Sequence, residues 1–210
     1  MMRQRGEGLW RKGGFVSIGI AFTKGIGLSR SLEAVCEKLI DGNGRIINTS
    51  YSEDEGGSNW VTVRTEEAAF DVSHSQFYGS VRLTTTRFGR RDQIVTVSLR
   101  DELEFDGLLI DLDYEDVFPD ETQSKSHVEI SKYVERLLVD LYGRVPFAYA
   151  VAGHEMEWDW APATFHREIE SMGHLPLSVV PVDGGINMYH RSIALDGMTP
   201  QPNRMNKIRL

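Results

Sequence analysis

A chain of 210 residues, 40% of them apolar, is long enough to bury one sizeable core without help from disulfides or a structural metal. Its single cysteine, Cys36, excludes an intramolecular disulfide and a multi-cysteine zinc site. The net charge of −8 understates the acidity of the body: residues 15–203 hold 16 basic against 30 acidic side chains, a net of −14, which repels nucleic acid and anionic lipid and attracts basic partners, although acidity also serves solubility.

Arg3, Arg5, Arg11 and Lys12 precede the apolar FVSIGIAF, a faint likeness to a secretory signal. That run is short, Ser17 and Gly19 interrupt it, and no A-x-A-like cleavage site follows. Residues 1–13 therefore read as a flexible leader, and the protein as cytoplasmic. No apolar run approaches the roughly 20 residues of a membrane-spanning helix.

GFVSIGIAF alternates Val16, Ile18, Ile20 and Phe22 against smaller residues, as a half-buried strand does. Ser29 or Ser31 then caps a helix through about Asp41, stopped by Gly42-Asn43-Gly44. Cys36 falls on that helix's apolar stripe with Leu32, Val35, Leu39 and Ile40, which reads as a core position and not a nucleophile. RIINTSY and NWVTVRT read as strands of a hairpin joined through SEDEGGS. Residues 66–76 read as a short helix or an irregular crossover. FYGSVRLTTT and DQIVTVSLR follow as strands, the second with Ile94, Thr96 and Ser98 opposite Val95, Val97 and Leu99; FDGLLIDLDY is another.

SHVEISKYVERLLVDLYG carries apolar residues at three-and-four spacing from Val128 to Leu141, with Ser126 as cap, an S-x-x-E box to Glu129, and Gly143 just past the end. FAYAVAG reads as a strand, 162–172 as a short helix with proline at its start, and LSVVPV and INMYHRS as late strands. Residues 199–210 read as an unstructured tail. The expected fold is a single α+β domain over 14–198: a mainly antiparallel sheet covered by two or three helices.

Residues 153–160, GHEMEWDW, concentrate chemistry. A zinc-protease helix needs H-E-x-x-H, whose histidines share one helical face, and the second ligand position is here Trp158. His154 and Glu155 with Asp111 and Asp113 form an alternative, an oxygen-rich magnesium or manganese site of a metal-dependent hydrolase. If the stretch is extended, His154, Met156, Trp158 and Trp160 share one face, and Glu155, Glu157 and Asp159 the other. That acidic row either meets solvent or faces a basic partner.

The run from 101 to 121, DELEFDGLLIDLDYEDVFPDE, contains ten acids and no base. Alternation turns Leu108, Ile110 and Leu112 inward and Asp111 and Asp113 outward. Such a row resists edge-to-edge aggregation, yet it costs self-repulsion, which a basic partner would relieve. No G-x-S-x-G elbow, P-loop or basic stripe with interleaved aromatics is present, and KGIGLS lacks the P-loop lysine and spacing.

GGFVSIGIAF, YSEDEGGSNWVTV, FDGLLIDLD, FAYAVAGHEMEW and ALDGMT, in that order over roughly residues 13–199, resemble a family of bacterial immunity proteins of polymorphic toxin systems, the immunity family numbered sixty-four. The resemblance implies a cytoplasmic, single-domain, non-enzymatic protein that binds and neutralises a cognate toxin domain. It carries over no functional residue and implies no cofactor. Combined with the charge pattern, it points to Asp111, Asp113, Glu115, Asp116, Glu155, Glu157, Trp158 and Asp159 as partner contacts, with the free protein a monomer that binds neither nucleic acid nor membrane.

Overall fold

A computed structural model describes residues 13–25, 28–40, 43–54, 57–64, 78–88, 92–119, 124–156 and 158–210. Within them, ten strands form one antiparallel sheet: β1 (Phe15–Thr23), β2 (Ile46–Ser52), β3 (Trp60–Arg64), β4 (Gly79–Thr85), β5 (Gln93–Asp101), β6 (Phe105–Asp113), β7 (Tyr149–His154), β8 (Leu177–Val182), β9 (Gly185–His190) and β10 (Arg204–Arg209). Their order is β10-β9-β8-β7-β1-β6-β5-β4-β2-β3. Four helices accompany them: α1 (Leu28–Leu39), α2 (Tyr114–Val117), α3 (Ser124–Arg144) and α4 (Pro162–Glu168). The fold is α+β, as the strand and helix periodicities predict.

One face of the sheet carries the main core. Ile18 and Ile20 of β1, Leu108 and Ile110 of β6, and Val95 and Val97 of β5 meet Leu32, Val35 and Leu39 of α1 and Val134, Leu138 and Leu141 of α3. The period-2 rows of the strands supply one wall and the three-and-four stripes of the helices the other. Cys36 is buried there, and burial alone pushes its thiol up to about 12, so it stays protonated and inert.

The helix ends differ from expectation. α1 begins at Leu28, which puts Ser29 and Ser31 inside the first turns, with Ser31 buried. α3 begins at Ser124 and runs through Arg144, so Ser126 and Gly143 are interior positions. Residues 66–76 lie outside the described residues.

The tail is also different. Residues 204–209 extend the sheet as β10, antiparallel to β9, where an unstructured segment was expected. Ile208 packs on the main core, and Arg204 lies 3.6 Å from Glu135 of α3, which itself stands 3.7 Å from buried His190 of β9. Burial, then the Arg204 charge, lowers the His190 pKa to about 4, so this imidazole is neutral at physiological pH. The preceding loop is fixed by Asp196, which accepts hydrogen bonds from the backbone N–H groups of Met198 and Thr199 and from the Thr199 hydroxyl. Its Oδ2 lies 2.9 Å from Nδ1 of His127, on which Phe118 stacks. Burial pushes the Asp196 carboxyl up, but the Thr199 and Met198 bonds, joined by the nearby His127, hold the group below its ordinary value.

Candidate functional site

The second face of the sheet is divided. One register row crosses all ten strands: Thr62, Ser50, Ser80, Ser98, Leu109, Gly19, Val151, Ser178, Tyr189 and Met205. Register partners share a face, so this row samples the surface from edge to edge. It is hydroxyl-bearing over β3 to β5 and turns largely apolar from β6 onward. The apolar half is covered by a second core: Trp158, Phe165, Ile169, Met172 and Leu175 pack on Tyr149, Val151 and Val180.

That cover depends on the opening motif of β7. β7 ends at His154, and Glu155 takes φ of +45°, a left-handed turn that a non-glycine residue adopts only at a cost. The turn breaks the alternation expected through 160, so His154, Met156, Trp158 and Trp160 do not form one strand face. The chain instead folds back over the sheet. Trp158, only 7% exposed, lies on a floor of Gly19 and Gly107; a methyl group added at Gly19 would stand 2.5 Å from its indole. The floor has to be glycine for the ring to sit this close. Trp158 is therefore part of the second core, where a contact residue was expected. Phe165 stacks on Tyr149, whose hydroxyl donates to the Trp160 carbonyl at 2.6 Å.

The predicted acids fall into two groups at opposite ends of this cover. Asp113, Glu115, Asp116 and Glu155 gather around the first residues of β1. Phe15 is the register partner of Asp113, the Glu155 N–H donates to the Phe15 carbonyl at 2.9 Å, and the Tyr114 N–H donates to the Gly14 carbonyl at 3.0 Å. Asp113 caps α2 by accepting from the Glu115 N–H, while Glu115 and Glu155 are exposed. Phe15, 48% exposed, stands among them. Asp111 occupies the next row, half-buried, and accepts from the Ser17 hydroxyl at 2.7 Å. Burial raises its pKa, against the Ser17 bond and the Arg100 charge.

Asp159 lies at the other end, where its charge and that of Glu102 reach the Tyr149 hydroxyl, already pushed well up by burial. Glu157 lies outside the described residues. The acidic run 101–121 is thereby split, and part of it is paired. Lys24, at the end of β1, contacts Asp101 and lies 3.0 Å from Asp106. The Asp101 bond, opposed by burial and joined by Asp106, raises the lysine pKa. The run looks baseless in sequence because its base is some 80 residues away.

The metal reading does not assemble. His154 Nε2 donates to the Gly13 carbonyl at 2.5 Å, its ring lies 4.6 Å from that of Tyr114, and Asp111 is engaged with Ser17. Among the described residues, no three His, Cys, Asp or Glu side chains are grouped so as to hold a metal ion.

The half that the described residues leave open carries arginines that sequence reasoning passed over, beside the exposed Trp60. A second row runs Arg64, Asn48, Arg82, Thr96, Asp111, Ser17. Arg100 is the partner of Gly107, and Trp60 that of Ser52. Trp60 is 50% exposed and Ile94 40%. The alternation of GSVRLTT and QIVTVSLR marks these side chains as outward, but only the register shows that they form one surface.

Among the described residues, a broad polar sheet face thus lies beside a cluster of carboxylates. The chain matches the model of a family of immunity proteins over residues 14–200. It belongs to that family, Immunity protein 64 (Imm64). Comparisons with curated proteins and with solved structures gave no match. Among the described residues no helix is long and apolar enough to cross a membrane.

Proposed function

We propose that this protein neutralises a cognate toxin domain in the cytoplasm by one-to-one binding, with the acidic end of the sheet as the contact that steers association. The observation that supports this reading is the gathering of Asp113, Glu115, Asp116 and Glu155 around Phe15, from segments some 40 residues apart in sequence. Carboxylates held this way attract a basic surface, such as the phosphate-binding site of a nuclease, and a half-exposed phenylalanine among them supplies apolar contact. Binding of this kind needs no turnover and no cofactor, and the free protein acts as a monomer.

The test is association with the toxin domain encoded by the adjacent gene, followed at low and high salt. The wild-type protein should form a one-to-one complex whose association rate falls steeply with salt. Glu115→Lys with Glu155→Lys should slow association by about tenfold or more at low salt and flatten the salt dependence. A tight complex with unchanged kinetics in that variant would remove the acidic end from the interface.

A further inference from the structure

The half of this face that the described residues leave largely open differs in composition from the rest of the molecule. Over β2 to β5 and the residue just ahead of β4, the charged side chains on that face are Arg64, Arg82 and Arg100, and the large ones are Trp60, Tyr78 and Ile94. The remaining strand positions on the face are serine, threonine or asparagine. None of the described strand positions on that face is acidic or lysine, in a chain with 31 acidic residues. Ordinary solvent faces of acidic proteins are dressed with glutamate and lysine for solubility. Interfaces show the opposite bias, enriched in arginine and aromatic residues and depleted in lysine and carboxylates. Paratopes add serine and asparagine as adaptable hydrogen-bonding groups around rigid aromatic anchors.

None of the three arginines forms an ion pair with another described residue, although the charge of Arg100 reaches Asp111. Guanidinium groups grip carboxylates through paired donors, which a lysine cannot do. The second register row passes from Arg82 through Thr96 to Asp111, so the basic zone and the acidic end adjoin on one surface. Two strand spacings, about 10 Å, separate Arg82 from Asp111.

We infer that the arginine-bearing face over β2–β5 is a second contact zone for the toxin, one that takes an acidic patch on the toxin's own surface. This rests on the toxin-binding reading above. The toxin surface it fits is charge-divided: a basic patch meets Asp113, Glu115 and Glu155, and a carboxylate patch further across the sheet meets Arg82 and Arg100. A uniformly basic toxin surface would be repelled by the arginines. The division fixes the orientation of docking and discriminates against toxins that are merely basic.

The experiment compares the wild-type protein, Arg82→Glu with Arg100→Glu, and Arg82→Ala with Arg100→Ala, each confirmed folded by circular dichroism, in binding to the toxin domain encoded by the adjacent gene. Reversal should weaken the complex by about 100-fold or more and truncation by about tenfold, mainly through faster dissociation. A tight wild-type complex with unchanged affinity in both variants overturns the inference and leaves the acidic-end reading standing. Failure of the wild-type protein to bind the toxin sinks that reading, and this one with it. Labelled single-stranded oligonucleotide and the concentration dependence of mass are measured alongside. Arginine-dependent binding of the oligonucleotide or arginine-dependent dimerisation, with toxin affinity unchanged, would assign the face to nucleic acid or to a second copy, and each outcome would overturn the inference.

Discussion

The two halves of the sheet's second face are built from the same strands to different ends. Along the row that crosses the whole sheet, Thr62, Ser50, Ser80 and Ser98 on one side give way to Leu109, Gly19 and Val151 on the other. On the apolar side the chain after β7 folds back, and Trp158 and α4 cover the sheet. On the hydroxyl side no described segment does so. Cover by its own chain makes one half structural, while on the other half Arg64, Arg82, Arg100, Trp60 and Tyr78 stand exposed among the described residues. The acidic end lies at the boundary, where Phe15 and Asp113 open β1 and close β6.

The sharpest way to break the comparison is to remove the ring that covers the glycine floor. Trp158→Ala should cost about 3–5 kcal/mol, because the floor of Gly19 and Gly107 has no side chain with which to fill the space. Thermal unfolding should fall by on the order of 10 °C. Trp60→Ala, on the uncovered half, should cost under about 1 kcal/mol, since the ring is half-exposed and its Nε1 makes one hydrogen bond, to the Gly57 carbonyl. Equal losses in urea titrations of the two variants would show that the halves are not energetically distinct.

These differences also mark what could be read from sequence. The strands of the sheet and helix α3 were legible because hydrophobic period dictates local structure: QIVTVSLR alternates without interruption, and α3 repeats at three and four. β10 was not, because RMNKIR turns one apolar residue, Ile208, into the core and otherwise reads as tail. Its order comes from pairing with β9 and from Glu135, both distant in sequence. The alternation of GHEMEWDW was misleading for one backbone reason. A glutamate occupies the left-handed turn where a glycine or asparagine would have signalled the end of the strand. Of the predicted contacts, Asp113, Glu115, Asp116 and Glu155 are neighbours only because β6 and β7 both pair with β1. The arginines share a face through register alone.

Glu155 gives a smaller test that separates folding from binding at the boundary. Its left-handed backbone costs an ordinary L-residue roughly 1–2 kcal/mol, part of which glycine recovers against its own entropy cost. Glu155→Gly should therefore raise unfolding stability by about 0.5–1 kcal/mol while slowing toxin association through loss of one carboxylate. A fall in stability, read from the urea midpoint, would mean that the Glu155 side chain, packed beside Gly14, holds the turn in place.

The smallest expected effect lies at the seam itself. Asp111 is pulled two ways: burial beside the covered half raises its pKa, while the Ser17 hydroxyl and Arg100 on the uncovered half favour the charged form. The net shift is upward, so the folded state takes up a proton more readily than the unfolded chain. In isolation, the ionised group costs stability at neutral pH, and that cost is relieved as pH falls through the folded-state pKa. Asp111→Asn should accordingly stabilise the protein at pH 7 by under about 1 kcal/mol, with the gain gone near pH 3, where aspartate is protonated in both states. If Arg100 supplies the opposing field, the gain at pH 7 should be larger in an Arg100→Ala background. A gain from asparagine that is the same at both pH values would trace the effect to packing, and the seam would then lie outside the electrostatics of the open face.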